Sequence, residues 1–101
     1  MSEGVRIGQI GCGRHGRLKL ARAMASVDDA ELVACADSDE GAAQRTAREF
    51  GFDRHYQDYG EMLANEELNG VVVALPHHML AEGALAAVNA GCNVFVEKPA
   101  G

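Results

Sequence analysis

The sequence predicts an α/β domain built on a doubly wound parallel sheet with strand order 3-2-1-4-5. Three observations lead there. Short apolar runs alternate with stretches of helical period along the whole chain. A glycine-rich turn follows the first apolar run and opens the first helical stretch. The fourth run, Gly70-Val-Val-Val-Ala-Leu75, is apolar without a break, as expected of a strand covered on both faces. Alternating strands and helices require a mostly parallel sheet, and right-handed crossovers with a switch point after the first strand give the order.

Each element has its own signal. Val5 to Ile10 reads as the first strand and enters the turn at Gly11. From about Arg14 to Ala25, Leu18, Ala21, Met24 and Ala25 recur at helical spacing. Ala30 to Ala36 is the second strand and ends at Asp37. Ser38 and Asp39 are natural caps for the next helix, Glu40 suits its first turn, and Ala43, Ala47 and Phe50 line one face. Gly51 can close that helix in a left-handed conformation. A short strand falls around His55 and Tyr56, and Asp58 with Glu61 forms a capping-box pattern for a helix through Met62 and Leu63. Pro76 ends the fourth strand. His78 to Ala90 reads as a helix with Leu80, Ala84, Leu85 and Val88 turned inward, Gly91 stops it, and Asn93 to Val96 is the fifth strand.

A chain of 101 residues holds one core. Its 48% hydrophobic and 24% charged residues suit a folded domain rather than a disordered one. The net charge of −6 argues against nucleic acid and anionic membrane as partners. Arg6, Arg14, Arg17, Lys19 and Arg22 are nevertheless five of the nine basic residues, which predicts a local cationic patch for a small anion. Cys12, Cys35 and Cys92 have no paired or metal-type spacing and read as structural thiols. With neither signal peptide nor membrane-length apolar run in the sequence, a reducing cytoplasm is the expected location.

The turn Gly11-Cys-Gly-Arg-His-Gly16 fits G-x-G-x-x-G, a weak match alone. Here it links a strand to a helix, and Asp37 follows Gly16 by 21 residues at the tip of the second strand. That context is the dinucleotide-binding, Rossmann-like fingerprint. Gly11 permits the tight turn, Gly13 lets backbone approach a pyrophosphate, and Gly16 lets helix pack on strand. The unpaired N–H groups of the helix then receive the anion. Arg14 and His15 fall in the first helical turn, where a cation opposes the helix dipole by up to ~1 kcal/mol. A bound pyrophosphate would reverse that sign. Asp37 is expected to accept from the adenosine ribose hydroxyls and to repel a 2′-phosphate, with Ser38 beside it and no adjacent cation, so NAD is favoured over NADP. Asp37 can also be read as a simple helix cap, a role compatible with the first.

Ligands of such sheets sit beyond the carboxyl ends of the strands. Leu75, Pro76, His77 and His78 follow the fourth strand there, and Glu97, Lys98 and Pro99 follow the fifth. A lysine near a cationic nicotinamide can serve as acid or base, although a lysine in such a loop is commonly just solvated.

The segments "RIGQIGCGRHG", "VACADSDEGAAQRTAREFG" and "VVVALPHHMLAEGALAAVNAGCNVFVEKPAG" together closely resemble the amino-terminal half of the Gfo/Idh/MocA family, named for glucose–fructose oxidoreductase, inositol dehydrogenase and rhizopine catabolism. The resemblance implies an NAD(P)-dependent oxidoreductase acting on a hydroxyl of a sugar, polyol or related small compound. It also implies that Lys98 approaches the nicotinamide and assists proton transfer. The chain departs from the family at Leu75, where Thr is common, and at Leu80 and Lys19, where histidines are common.

Enzymes of that family continue with another helix and strand and then a second α/β domain. The resemblance therefore implies that residues 1–101 form a sheet truncated before its last strand, without the substrate domain. Such a chain is expected to bind cofactor without turnover and to self-associate through the open edge of the fifth strand. Two other functions share the glycine turn: a non-catalytic nucleotide-binding or sensor module, and an S-adenosylmethionine methyltransferase. Lys98 speaks against the first, and Gly16 with the Glu-Lys-Pro ending against the second.

Overall fold

The computed structural model describes residues 5–12, 30–75 and 77–96. Five parallel strands, β1 (Val5–Ile10), β2 (Ala30–Ala36), β3 (Arg54–Tyr56), β4 (Gly70–Val73) and β5 (Asn93–Val96), lie in the predicted order β3-β2-β1-β4-β5. Three helices are described: α1 (Glu40–Phe50), α2 (Tyr59–Asn65) and α3 (His77–Asn89). The helix predicted from Arg14 to Ala25 lies outside the described residues, as do Gly13, Arg14, His15, Gly16, Pro76, Glu97 and Lys98.

The strands alternate their side chains between two apolar layers. Ile7, Cys35 and Val72 pack with Ala42, Ala43 and Ala47 of α1 on one face. Ile10, Ala36, Val71 and Val73 pack with Met62 of α2 and Ala87 of α3 on the other. The unbroken apolar run of β4 thus reflects burial on both faces, each such valine contributing about 1.5–3 kcal/mol. The strand is shorter than predicted, since it ends at Val73 and leaves Ala74 and Leu75 in the connection to α3.

The strand tips are level. Ile10 pairs with Ala36 and Val73, Ala36 with Tyr56, and Val73 with Val96. Residues immediately past the tips therefore share one edge. That register depends on an irregularity: the β1–β2 pairing steps by one residue between Ile7 and Gly8, leaving Val33 as the extra residue of β2.

Asp39, rather than Ser38, caps α1, its Oδ1 accepting from the N–H groups of Gly41 at 3.0 Å and Ala42 at 3.3 Å. A cap of this kind stabilises a helix by about 1 kcal/mol. Gly51 closes α1 at φ 85°, its N–H donating to the Ala47 carbonyl at 2.9 Å, as the sequence predicts. Asp58 caps α2 through the Gly60 N–H at 3.3 Å.

The inward face of α3 differs from expectation. Leu85 and Val88 are 61% and 56% exposed, while Gly83 and Ala87 are buried. The cause is close approach. A Cβ on Gly83 would stand 2.7 Å from Leu75 Cδ1 and 3.3 Å from Val73 Cγ1, so small residues of α3 fill the closest approach to β4, with the predicted Leu80 partly buried against the same apolar layer.

Two ionic contacts lie away from the carboxyl edge. Arg6, expected in a cationic patch, sits near the amino end of β1, where its Nη1 reaches Glu31 Oε2 at 3.0 Å and its Nε donates to the Glu67 carbonyl at 2.6 Å. It is therefore committed to the opposite edge from the glycine turn. Glu66, at the end of α2, accepts from Arg54 Nε, from Arg54 Nη2 at 2.7 Å and from the Tyr56 hydroxyl at 2.6 Å. The Arg54 guanidinium holds the Glu66 carboxyl below the ordinary range, with the Tyr56 hydroxyl adding to the effect against the opposing cost of burial.

Candidate functional site

The carboxyl edge is organised around Gly11 and Cys12. Gly11 has φ 94°, and a Cβ there would meet the Ala74 carbonyl oxygen at 2.5 Å. Conformation and space both demand glycine, as the fingerprint reading expects of its first position.

Every backbone polar group of these two residues has a partner within the protein. The Gly11 N–H donates to the Ala36 carbonyl at 2.8 Å. The Gly11 carbonyl accepts from Gln9 Nε2 at 2.6 Å. The Cys12 N–H donates to Asp37 Oδ2 at 2.7 Å. The Cys12 carbonyl accepts from the Thr46 hydroxyl of α1 at 3.2 Å. The bend is held from β1, β2 and α1 together, so its shape is set before any ligand arrives.

Asp37 stands at the tip of β2, half-buried. Its Oδ1 accepts from the Asp39 N–H at 2.8 Å, and its own N–H donates to the Tyr56 carbonyl at 3.1 Å. An ionised carboxylate has about four acceptor sites. Among the described residues, two are occupied by backbone N–H groups, one on each oxygen, which leaves about one lone pair on each for hydroxyl donors. A vicinal diol fits that remaining capacity, whereas a phosphate does not. Ser38 is exposed next to it, its carbonyl accepting from Gln57 Nε2 at 3.2 Å.

Leu75 is half-buried, with its side chain between Gly11 and Gly83. His77 is the first residue of α3, and His78 is exposed in the same turn. The structure thus gathers Gly11, Asp37 and Leu75 at one edge; the remaining glycine-turn residues and Lys98 lie outside the described residues.

Sequence reasoning missed Gln9 and Thr46. Both are buried polar residues, 0% and 1% exposed. Their signal was available as a glutamine interrupting an apolar strand and a threonine within the alanine stripe of α1. The three cysteines are free, buried thiols, as expected. Hydrogen bonding with the adjacent Cys12 thiol, followed by burial, pushes the Cys35 thiol far above its ordinary range, and burial pushes Cys92 up too. Among the described residues, no helix is long and apolar enough to cross a membrane.

Known proteins share this fold. The chain is 31% identical over 99 residues to scyllo-inositol 2-dehydrogenase (NAD(+)) of Bacillus subtilis, spanning 98% of this chain and 29% of that one. The scyllo-inositol dehydrogenase of Lactobacillus casei, solved with bound NAD(H) and scyllo-inositol, superposes with a TM-score of 0.82 at 25% identity, over 96% of this chain and 28% of that one. A variant of a 3-ketoreductase from Actinomadura kijaniata, solved with TDP-benzene and NADP, gives 0.83 at 28% identity, over 96% and 31%. The chain therefore spans under a third of the length of these relatives. Residues 5–101 match the oxidoreductase family with an NAD-binding Rossmann fold, so the chain belongs to the Gfo/Idh/MocA family.

Proposed function

We propose that this chain is the NAD-binding domain of a dehydrogenase acting on a hydroxyl of a polyol, sugar or related compound. The observation that carries the reading is the hydrogen bond from the Cys12 N–H to Asp37 Oδ2, which joins the carboxylate of β2 to the glycine bend of β1. Gly11 shapes the bend, its own N–H being held by the Ala36 carbonyl, and Gly13, Arg14, His15 and Gly16 receive the pyrophosphate with backbone N–H groups and flanking cations. Asp37, with Ser38 beside it, accepts from the adenosine ribose. Leu75, Pro76, His77 and Glu97 border the nicotinamide half.

A bound nicotinamide would supply the hydride acceptor for oxidation at the hydroxyl-bearing carbon and the hydride donor for the reverse reaction. Lys98 takes the hydroxyl proton at Nζ during oxidation and gives it back during reduction. This role rests on the family resemblance of the Glu-Lys-Pro segment.

NAD is favoured over NADP because Asp37 carries its charge where a 2′-phosphate would lie. Asp39 and Glu40 are exposed just beyond it and add to the repulsion. The Bacillus subtilis relative is named for NAD(+), whereas the Actinomadura kijaniata protein was solved with NADP.

The test is titration calorimetry with NADH and NADPH. NADH is expected to bind more tightly, and Asp37→Ala should weaken NADH by about 10–100-fold, the worth of charge-assisted hydrogen bonds. NADPH should lose much less. Unchanged NADH affinity in the variant would remove Asp37 from the site.

A further inference from the structure

Gln9 is a fully buried polar residue of the central strand, level with Cys35 of β2 and Val72 of β4. Its amide is oriented unambiguously. The atom 2.6 Å from the Gly11 carbonyl oxygen must be Nε2, because two oxygens at that separation would repel. Oε1 then has no hydrogen-bond partner within the protein. A buried acceptor without a partner is a cost to the folded state, and an apolar side chain of similar volume would avoid it. That cost offsets the bond that Nε2 gives the Gly11 carbonyl, so net stability is a weak reason for a glutamine at this position.

The peptide unit that Gln9 holds suggests a stronger reason. The Gly11–Cys12 peptide is a rigid plane whose C=O and N–H point in opposite directions. Its oxygen is gripped by Gln9 and its N–H by Asp37 Oδ2. Glycine, lacking a Cβ, allows that plane to rotate more freely than any other residue would. Fixing the oxygen at one end aims the N–H at the other.

We propose that Gln9 is a positioning residue for Asp37, locking the Gly11–Cys12 peptide so that its N–H holds the ribose-binding carboxylate. The proposal rests on the assignment of Asp37 to the ribose. Gln9 itself makes no contact with the cofactor. It keeps one oxygen of Asp37 anchored, and the remaining acceptor sites of that carboxylate stay in a fixed direction. Discrimination between NADH and NADPH depends on that direction, since a carboxylate free to swing away would repel a 2′-phosphate less.

The test uses Gln9→Leu and Gln9→Met, two apolar replacements that differ in shape. Amide hydrogen exchange of the cofactor-free chain is read first. Protection of the Cys12 N–H and, through Asp37, the Asp39 N–H should fall about tenfold, while the amides of β4 keep theirs. A general loosening of the fold would instead move β4 as well. NADH affinity should then drop about fivefold, the NADH preference over NADPH should narrow, and neither effect should appear in an Asp37→Ala background.

Undiminished protection at Cys12 in both variants overturns the proposal, as does an equal loss in β4. If the unsubstituted chain fails to bind NADH, the failure falls on the cofactor assignment, and exchange at Cys12 still decides whether Gln9 locks the peptide.

Discussion

Two polar networks fasten connections to this sheet, and they differ in what they leave unsaturated. At the corner of β3 and α2, Arg54, Tyr56 and Glu66 satisfy one another, with cation, hydroxyl and carboxylate matched. At the carboxyl edge, Gln9, Thr46 and Asp37 hold backbone groups of Gly11 and Cys12. There Asp37 keeps spare acceptor capacity and Gln9 keeps an unpartnered oxygen. The closed network has the chemistry of a fastener. The open one has the chemistry of a site, because a ligand needs groups that the protein has oriented without saturating.

The sharpest way to break the contrast is Gly11→Ala. A left-handed φ and a Cβ placed 2.5 Å from the Ala74 carbonyl oxygen should together destabilise the chain by about 3 kcal/mol, read from urea denaturation. A loss below about 1 kcal/mol would mean that the bend is softer than its hydrogen bonding implies. Thr46→Val comes next. The change is nearly isosteric but strips the Cys12 carbonyl of its hydroxyl donor, and it should destabilise by about 1 kcal/mol. Cofactor affinity should fall with it, since the same carbonyl shapes the bend.

The smallest effect belongs to the closed network and depends on pH. The folded-state pKa of Glu66 is lowered, chiefly by Arg54, so its stabilisation is complete above the ordinary glutamate value of 4.5 and is lost as pH falls through the lowered value. Glu66→Gln should flatten the acid limb of a plot of Tm against pH, while leaving NADH affinity at pH 7 unchanged. A change in affinity would show that the two networks communicate.

Much of this was legible in the residues. The strands Val5–Ile10, Ala30–Ala36 and Asn93–Val96 were readable because apolar runs bounded by turn residues carry their own limits. The placement of Asp37 beside the glycine bend was readable because its distance from the glycines is a motif. Leu85 and Val88 were misread for a physical reason: hydrophobic pattern rewards size, whereas the contact of α3 with β4 selects for its absence at Gly83. Gln9 and Thr46 escaped notice because their meaning lies in their partners. Thr46 acts on a carbonyl 34 residues away, and no local pattern encodes that pairing.

The extra residue at Val33 governs depth. Were Val33 paired with Gly8 instead of bulged, Cys12 rather than Gly11 would stand level with Asp37, and the tip of β2 would project one residue farther, about 3.3 Å. Its side chains would also exchange faces from that point on. The bulge therefore absorbs one valine and keeps the acid under the bend. Deleting Val33 would set Ala34 opposite Gly8 directly after Leu32 opposite Ile7, so Asp37 would stay level with Gly11: the bulge takes up the extra residue before it reaches the rim.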